Sequence, residues 1–101
     1  CYEQAMRANY AYMPVRVVSG SAVSRDALLQ SLRAKGVVPR RYFYPLIPDF
    51  QYYRSSPTAT PARYPVADAL AKEILCLPIY PDLADSIVID ICKLIRESLL
   101  P

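Results

Sequence analysis

The chain has 101 residues, which suits one small domain and leaves no room for two. Twelve Lys and Arg against nine Asp and Glu give a net charge of +3, too mild for a dedicated nucleic-acid binder. With no histidine and only three scattered cysteines, neither a zinc set nor a disulfide framework is expected.

The charge is unevenly spread. Residues 1–64 carry nine basic side chains against three acidic ones, and residues 65–101 carry three against six, so the front of the chain is the part suited to an anion. Arginine outnumbers lysine nine to three, and the planar guanidinium fork matches phosphate or carboxylate better than an ammonium does. The longest apolar run falls far short of the roughly 18 to 20 residues that cross a bilayer. No basic segment leads into an apolar one at the N-terminus, so no membrane association is expected. The thiols point to a reduced, cytoplasmic setting. The chain opens on Cys1 rather than Met, as a piece of a longer protein would.

Residues 10–18 (YAYMPVRVV) alternate, with Ala11, Met13, Val15 and Val17 on one face and Tyr10, Tyr12, Pro14 and Arg16 on the other. This predicts a half-buried strand, placed at a sheet edge because Pro14 has no N–H to donate. Ser24 is a good N-cap, Asp26 suits the first turn, Leu28, Leu29 and Leu32 form a stripe, and Gly36 supplies a left-handed stop. A helix over 24–35 follows. The β-branched and aromatic residues of 37–44 (VVPRRYFY) predict a second strand.

Residues 45–64 hold four prolines, no glycine and no period, giving a connection of about 20 residues whose Phe50, Tyr52 and Tyr53 argue for a role rather than disorder. Pro65 opens a helix over 65–74, and residues 75–80 (LCLPIY) read as a third strand ended by Pro81. Asp82 or Asp85 caps a last helix over 83–99 that turns Ile87, Ile91, Leu94 and Ile95 inward. The result is an α+β two-layer sandwich of about three strands and three helices, covered on one face only. The face bearing Tyr10, Tyr12 and Arg16 is left to solvent or to an absent partner.

Self-contained catalysis is not expected. Gly20 and Gly36 are the two glycines, so no glycine-rich phosphate loop exists, and no histidine can serve a Ser or Cys nucleophile. Lys35, Lys72 and Lys93 fall on helical or cap positions that favour a solvated ammonium over a Schiff base. What remains is the segment Arg40 to Pro45. Continued as a strand, it sets Arg40, Tyr42 and Tyr44 in a row on one face and Arg41 and Phe43 on the other. Such a row could clamp a phosphorylated sugar, Arg on phosphate and Tyr stacked on sugar or base, or simply pack against another subunit.

Three blocks carry a resemblance: NYAYMPVRV (9–17), GVVPRRYFYPL (36–46) and ALAKEILCLPIYP (69–81). In their order and spacing they resemble the end of the DegT/DnrJ-type sugar aminotransferases. The resemblance implies the C-terminal small domain of an aspartate-aminotransferase (type I) fold, belonging to a homodimeric enzyme that uses pyridoxal phosphate. Such enzymes move an amino group, usually from glutamate, onto a nucleotide-linked keto-sugar.

The cofactor and its lysine would then belong to an N-terminal large domain missing from this chain. No catalytic, cofactor-binding or metal-binding residue would lie here, and the piece alone would be inactive. Arg40, Arg41, Tyr42 and Tyr44 match the family segment that approaches the nucleotide-sugar and would orient it rather than break bonds. Many relatives carry a histidine near this segment and this chain has none, which puts the sugar's position in question. Relatives with an Arg-Tyr-Phe pattern here tend to act on dTDP-linked 4-keto-6-deoxyhexoses. Two other readings stay open: a free-standing interaction or ligand-binding module using its tyrosine-rich face, and a family member that regulates instead of catalysing.

Overall fold

A computed structural model describes residues 7–100. Eight elements follow in order: β1 (Met13–Arg16), α1 (Arg25–Ala34), β2 (Arg40–Arg41), short 3-10 turns at Ile47–Asp49 and Pro61–Arg63, α2 (Pro65–Glu73), β3 (Ile74–Leu77) and α3 (Asp85–Leu99). The three strands form one antiparallel sheet in the order β1-β3-β2. The chain is thus a small α+β domain, and the segment expected as a loop, 45–64, is an excursion pinned by the two 3-10 turns.

The helices begin where local chemistry favours it. Ser24 caps α1 by accepting the Ala27 N–H at 3.2 Å, and Gly36, at φ +83°, takes the left-handed turn beyond Lys35. Pro65 opens α2, where its missing N–H is no loss. The capping expected for α3 differs: its N-cap is Ala84, without a side-chain bond, and Asp85 is instead the first helical residue, where its charge still suits the dipole.

All three strands are shorter than the sequence suggests. Upstream of β1, Tyr10 takes φ +53° and Asn9 Oδ1 accepts the Ala11 N–H at 3.1 Å, so a local turn replaces the ladder. β2 starts after the buried Pro39 and ends when the chain turns at Phe43, φ +44°. β3 stops at Pro78, which cannot donate to a ladder. Pro14 lies on an edge strand, as expected. Val17 donates to the Glu73 carbonyl at 2.9 Å, and alternation from that bond puts Pro14, opposite Cys76, at a non-hydrogen-bonded position.

One face of the sheet carries the core. Leu28, Leu29 and Leu32 of α1 pack on Leu75, with Val15, Val17, Leu77, Leu94 and Ile95 around them. Ser31 and Ser98 join α1 to α3 through their hydroxyls at 3.0 Å, and Lys35 meets Glu97 at 3.4 Å, so the C-terminal ends of the two helices lie together. Ile87, expected in the core, lies in the first turn of α3 and is 46% exposed, while Ile91, one turn further on, is buried. Ala11 and Met13, expected inside with the valines, are exposed as well.

Glu73 ends α2 and locks β1. Its carboxylate accepts from Arg16 Nε at 2.6 Å and from the Ser19 N–H at 3.3 Å. The Arg16 bond, helped by Ser19, holds its pKa below the ordinary 4.5. A lowered carboxylate pKa stabilises the fold above the ordinary value, and the contribution is lost as pH falls through the folded one. Replacing Glu73 with Gln is therefore expected to flatten the fall in unfolding midpoint between about pH 5 and pH 3, measured by thermal melts across that window. In urea titrations, Leu32→Ala, at a fully buried site, is expected to cost about 2–5 kcal/mol, and Ile87→Ala under about 1 kcal/mol.

Candidate functional site

Residues opposite one another on paired strands share a face. Pro14, Cys76 and Arg40 stand in such a row across the three strands, on the face away from the helical core. Around them runs an open groove of about 390 Å³, bounded by Tyr12, Arg40, Tyr42, Phe43 and Tyr80. The phenol rings are ordered against each other: Tyr12 and Tyr42 meet edge to face at 5.2 Å, and Tyr42 packs on Phe43 at 4.1 Å. Beside it, an apolar hollow lies between Pro14 and Ile74 of the sheet and Ala67, Leu70 and Ala71 of α2. Of the residues expected on the uncovered face, Tyr12 is 56% exposed and Tyr10, at 75%, lies in the turn before β1, whereas Cys76 of the same face is buried.

The side chains of the four residues singled out in the sequence take different partners. Because β2 ends at Arg41 and the chain then turns, the expected row of Arg40, Tyr42 and Tyr44 does not form. Arg40, Arg41 and Tyr42 all border the groove, and Tyr44 does not. Arg41, opposite Leu75, points to the helical side, where its guanidinium lies 4.8 Å over the ring of Tyr44 and its Nε donates to Asp26 Oδ1 at 3.0 Å. Arg40 and Arg33 make no ion pair among the described residues, and both border a second depression with Arg41 and Tyr44.

Sequence reasoning missed Arg25. It is 3% exposed and, among the described residues, the one charged side chain that is buried. Its Nε donates to Asp26 Oδ1 at 2.8 Å, its Nη1 to the carbonyls of Ala71 at 2.9 Å and Ile74 at 3.0 Å, and its guanidinium sits 5.3 Å from the Tyr44 ring centre. Ala71 lies in the last turn of α2, whose carbonyls have no partner within the helix, so Arg25 caps that end and meets the negative pole of its dipole. A signal existed: a basic residue directly after an N-cap sits at the wrong pole of its own helix, and such a local conflict points to a partner elsewhere.

The lysines do not suit a covalent role. Lys72 is exposed and bonded to Asp68 at 2.7 Å, a bond that raises its pKa and keeps it an ammonium, whereas an amine that forms a Schiff base has to lose its proton. Lys93 pairs with Asp90 at 3.1 Å and Lys35 with Glu97. Among the described residues no three His, Cys, Asp or Glu side chains cluster as metal ligands, and no helix is long and apolar enough to cross a membrane.

Cys76 lies buried beneath the groove and burial pushes its thiol pKa up, while Cys92 is exposed on α3. With Cys1 replaced by Ser, a thiol reagent at pH 8 is expected to label Cys92 rapidly and Cys76 only after denaturant is added. Equal labelling rates would contradict the packing of Pro14 and Arg40 around Cys76.

Comparison with known proteins places these residues in context. Residues 2–96 match the DegT/DnrJ/EryC1/StrS aminotransferase family. Two similar proteins are dTDP-4-amino-4,6-dideoxy-D-glucose transaminases. The one from Escherichia coli is 40% identical over 87 residues, covering 86% of this chain and 24% of its own. The one from Shigella dysenteriae is 38% identical over 89 residues, covering 88% and 24%. The chain therefore spans about a quarter of the length of these relatives. No solved structure matches it.

Proposed function

The chain belongs to the DegT/DnrJ/EryC1/StrS aminotransferase family, and on that premise we propose that it is the C-terminal small domain of a pyridoxal-phosphate-dependent transaminase. The parent enzyme moves an amino group, with glutamate as donor, onto a nucleotide-linked keto-sugar. The names of the two relatives favour a dTDP-linked 4,6-dideoxyhexose aminated at carbon 4. The cofactor supplies the electron sink for transamination. None of this chain's three lysines suits its attachment, so the reading assigns cofactor and lysine to the N-terminal large domain, and this chain alone is inactive. The architecture follows the small domain of the type I aminotransferase fold, in a cytoplasmic homodimer.

The observation that carries the reading is the open face: Arg40, unpaired among the described residues, at the rim of a groove walled by phenols, on a sheet whose opposite side carries the core. Two bulk properties support a missing lobe. The accessible surface is 8113 Å², against about 5,800 Å² for a compact monomer of this size. The radius of gyration is 16.0 Å, where about 13 Å is usual.

In this reading Arg40 takes a phosphate oxygen and Tyr42, with Tyr12, lies against sugar or base. Arg41 and Tyr44 belong to the same segment and act from behind it. All four orient substrate and none breaks a bond. In the full-length enzyme Arg40→Ala is expected to raise KM for the nucleotide-sugar by about tenfold or more with kcat little changed, the cost of one charge-assisted hydrogen bond. An unchanged KM in steady-state assays would refute the assignment.

A further inference from the structure

The segment that bears Arg40 and Tyr42 has little backbone to hold it. β2 is two residues long and pairs only through Arg40 with Cys76 and Arg41 with Leu75. After Arg41 the chain turns at once, with Phe43 in the left-handed region. Backbone pairing therefore leaves the direction of residues 42–44 to their side chains.

Arg41, the residue before them, is tied to α1 by one carboxylate. Asp26 Oδ1 accepts from Arg25 at 2.8 Å and from Arg41 at 3.0 Å. The two guanidiniums lie 5.3 Å and 4.8 Å from the centre of the same Tyr44 ring. Two cations over one ring repel each other unless an anion lies between them, and Asp26 is that anion. Arg25 is buried and bonded to two carbonyls where α2 meets β3. A chain of contacts thus runs from the α2–β3 junction through Arg25, Asp26 and Arg41 to Tyr44.

We infer that Arg25 and Asp26 are positioning residues for the nucleotide-sugar: by holding Arg41 and Tyr44 on the helical side of β2, they turn Arg40 and Tyr42 toward the groove. The inference rests on the groove reading given above. It gives two consecutive arginines different tasks, one facing the anion and one anchoring the strand that presents it.

The experiment is calorimetric binding of dTDP to the full-length enzyme, with steady-state kcat and KM for the nucleotide-sugar alongside. Asp26→Asn is expected to weaken dTDP binding about five- to tenfold and raise KM in step with kcat little moved, and Asp26→Glu to restore most of the loss. Arg41→Met, at a partly exposed side chain, is expected to weaken binding similarly, and the double variant no further, since both break the same tether.

If Arg41 clamps the phosphate directly, Asp26→Asn frees it, and binding stays level or tightens while Arg41→Met still weakens it; that result overturns the inference. Should Asp26→Asn fail to fold, Asp26→Ser carries the test with the same expected and contrary outcomes, and no effect of Arg41→Met overturns the inference. Arg40→Ala separates the two readings. If it weakens dTDP binding while the Asp26 and Arg41 variants do not, the groove reading survives and the tether falls; if it has no effect, the groove reading falls.

Discussion

A three-stranded sheet exposes two faces, and the buried core of this chain lies against one of them. Leu28, Leu29 and Leu32 from α1, Leu75 from β3 and the half-buried residues of α3 complete that side. Alternation along each strand then fixes what stands on the other: Tyr12, Pro14, Cys76 and Arg40. The candidate site is thus a direct consequence of one-sided burial.

Electrostatics refine what burial lays out. Several cations already have partners that shape the fold: Arg16 on Glu73, Arg25 on Asp26 and two carbonyls, Arg41 on Asp26. The excess positive charge of the front segment is therefore only partly available to an anion. Arg33 and Arg40, both unpaired among the described residues, stand at the β2 edge of the sheet. Pairing is what separates anchor from ligand-facing group among residues of one type.

Much of this was legible beforehand. α1 was readable from its Ser24 cap and leucine stripe, α2 from the proline at its first turn and α3 from its 3.6-residue stripe, although the cap expected for α3 did not form. The open sheet face followed from alternation and a shortage of covering elements. Strand ends were less readable, because Tyr10 and Phe43 adopt left-handed backbone that aromatic residues seldom take, and composition gives no hint of it. That misreading propagated: a strand drawn through Tyr44 places Tyr44 beside Arg40, whereas the turn carries it to Arg41. Arg25 escaped notice because its partners, Ala71 and Ile74, lie 46 and 49 residues away, and a backbone carbonyl leaves no trace in sequence pattern.

The strand order β1-β3-β2 has a kinetic corollary. The central strand is the last of the three to be made, so the two flanking strands emerge from the ribosome with nothing to bind. Residues 13–16 and 40–41 wait for residues 74–77, and every ladder in the sheet closes across at least some 30 positions. Loop closure of that length precedes any reward from pairing, which slows assembly. Until then α1 carries its leucines without a sheet to cover, and the nascent chain is at its most vulnerable to association with its neighbours.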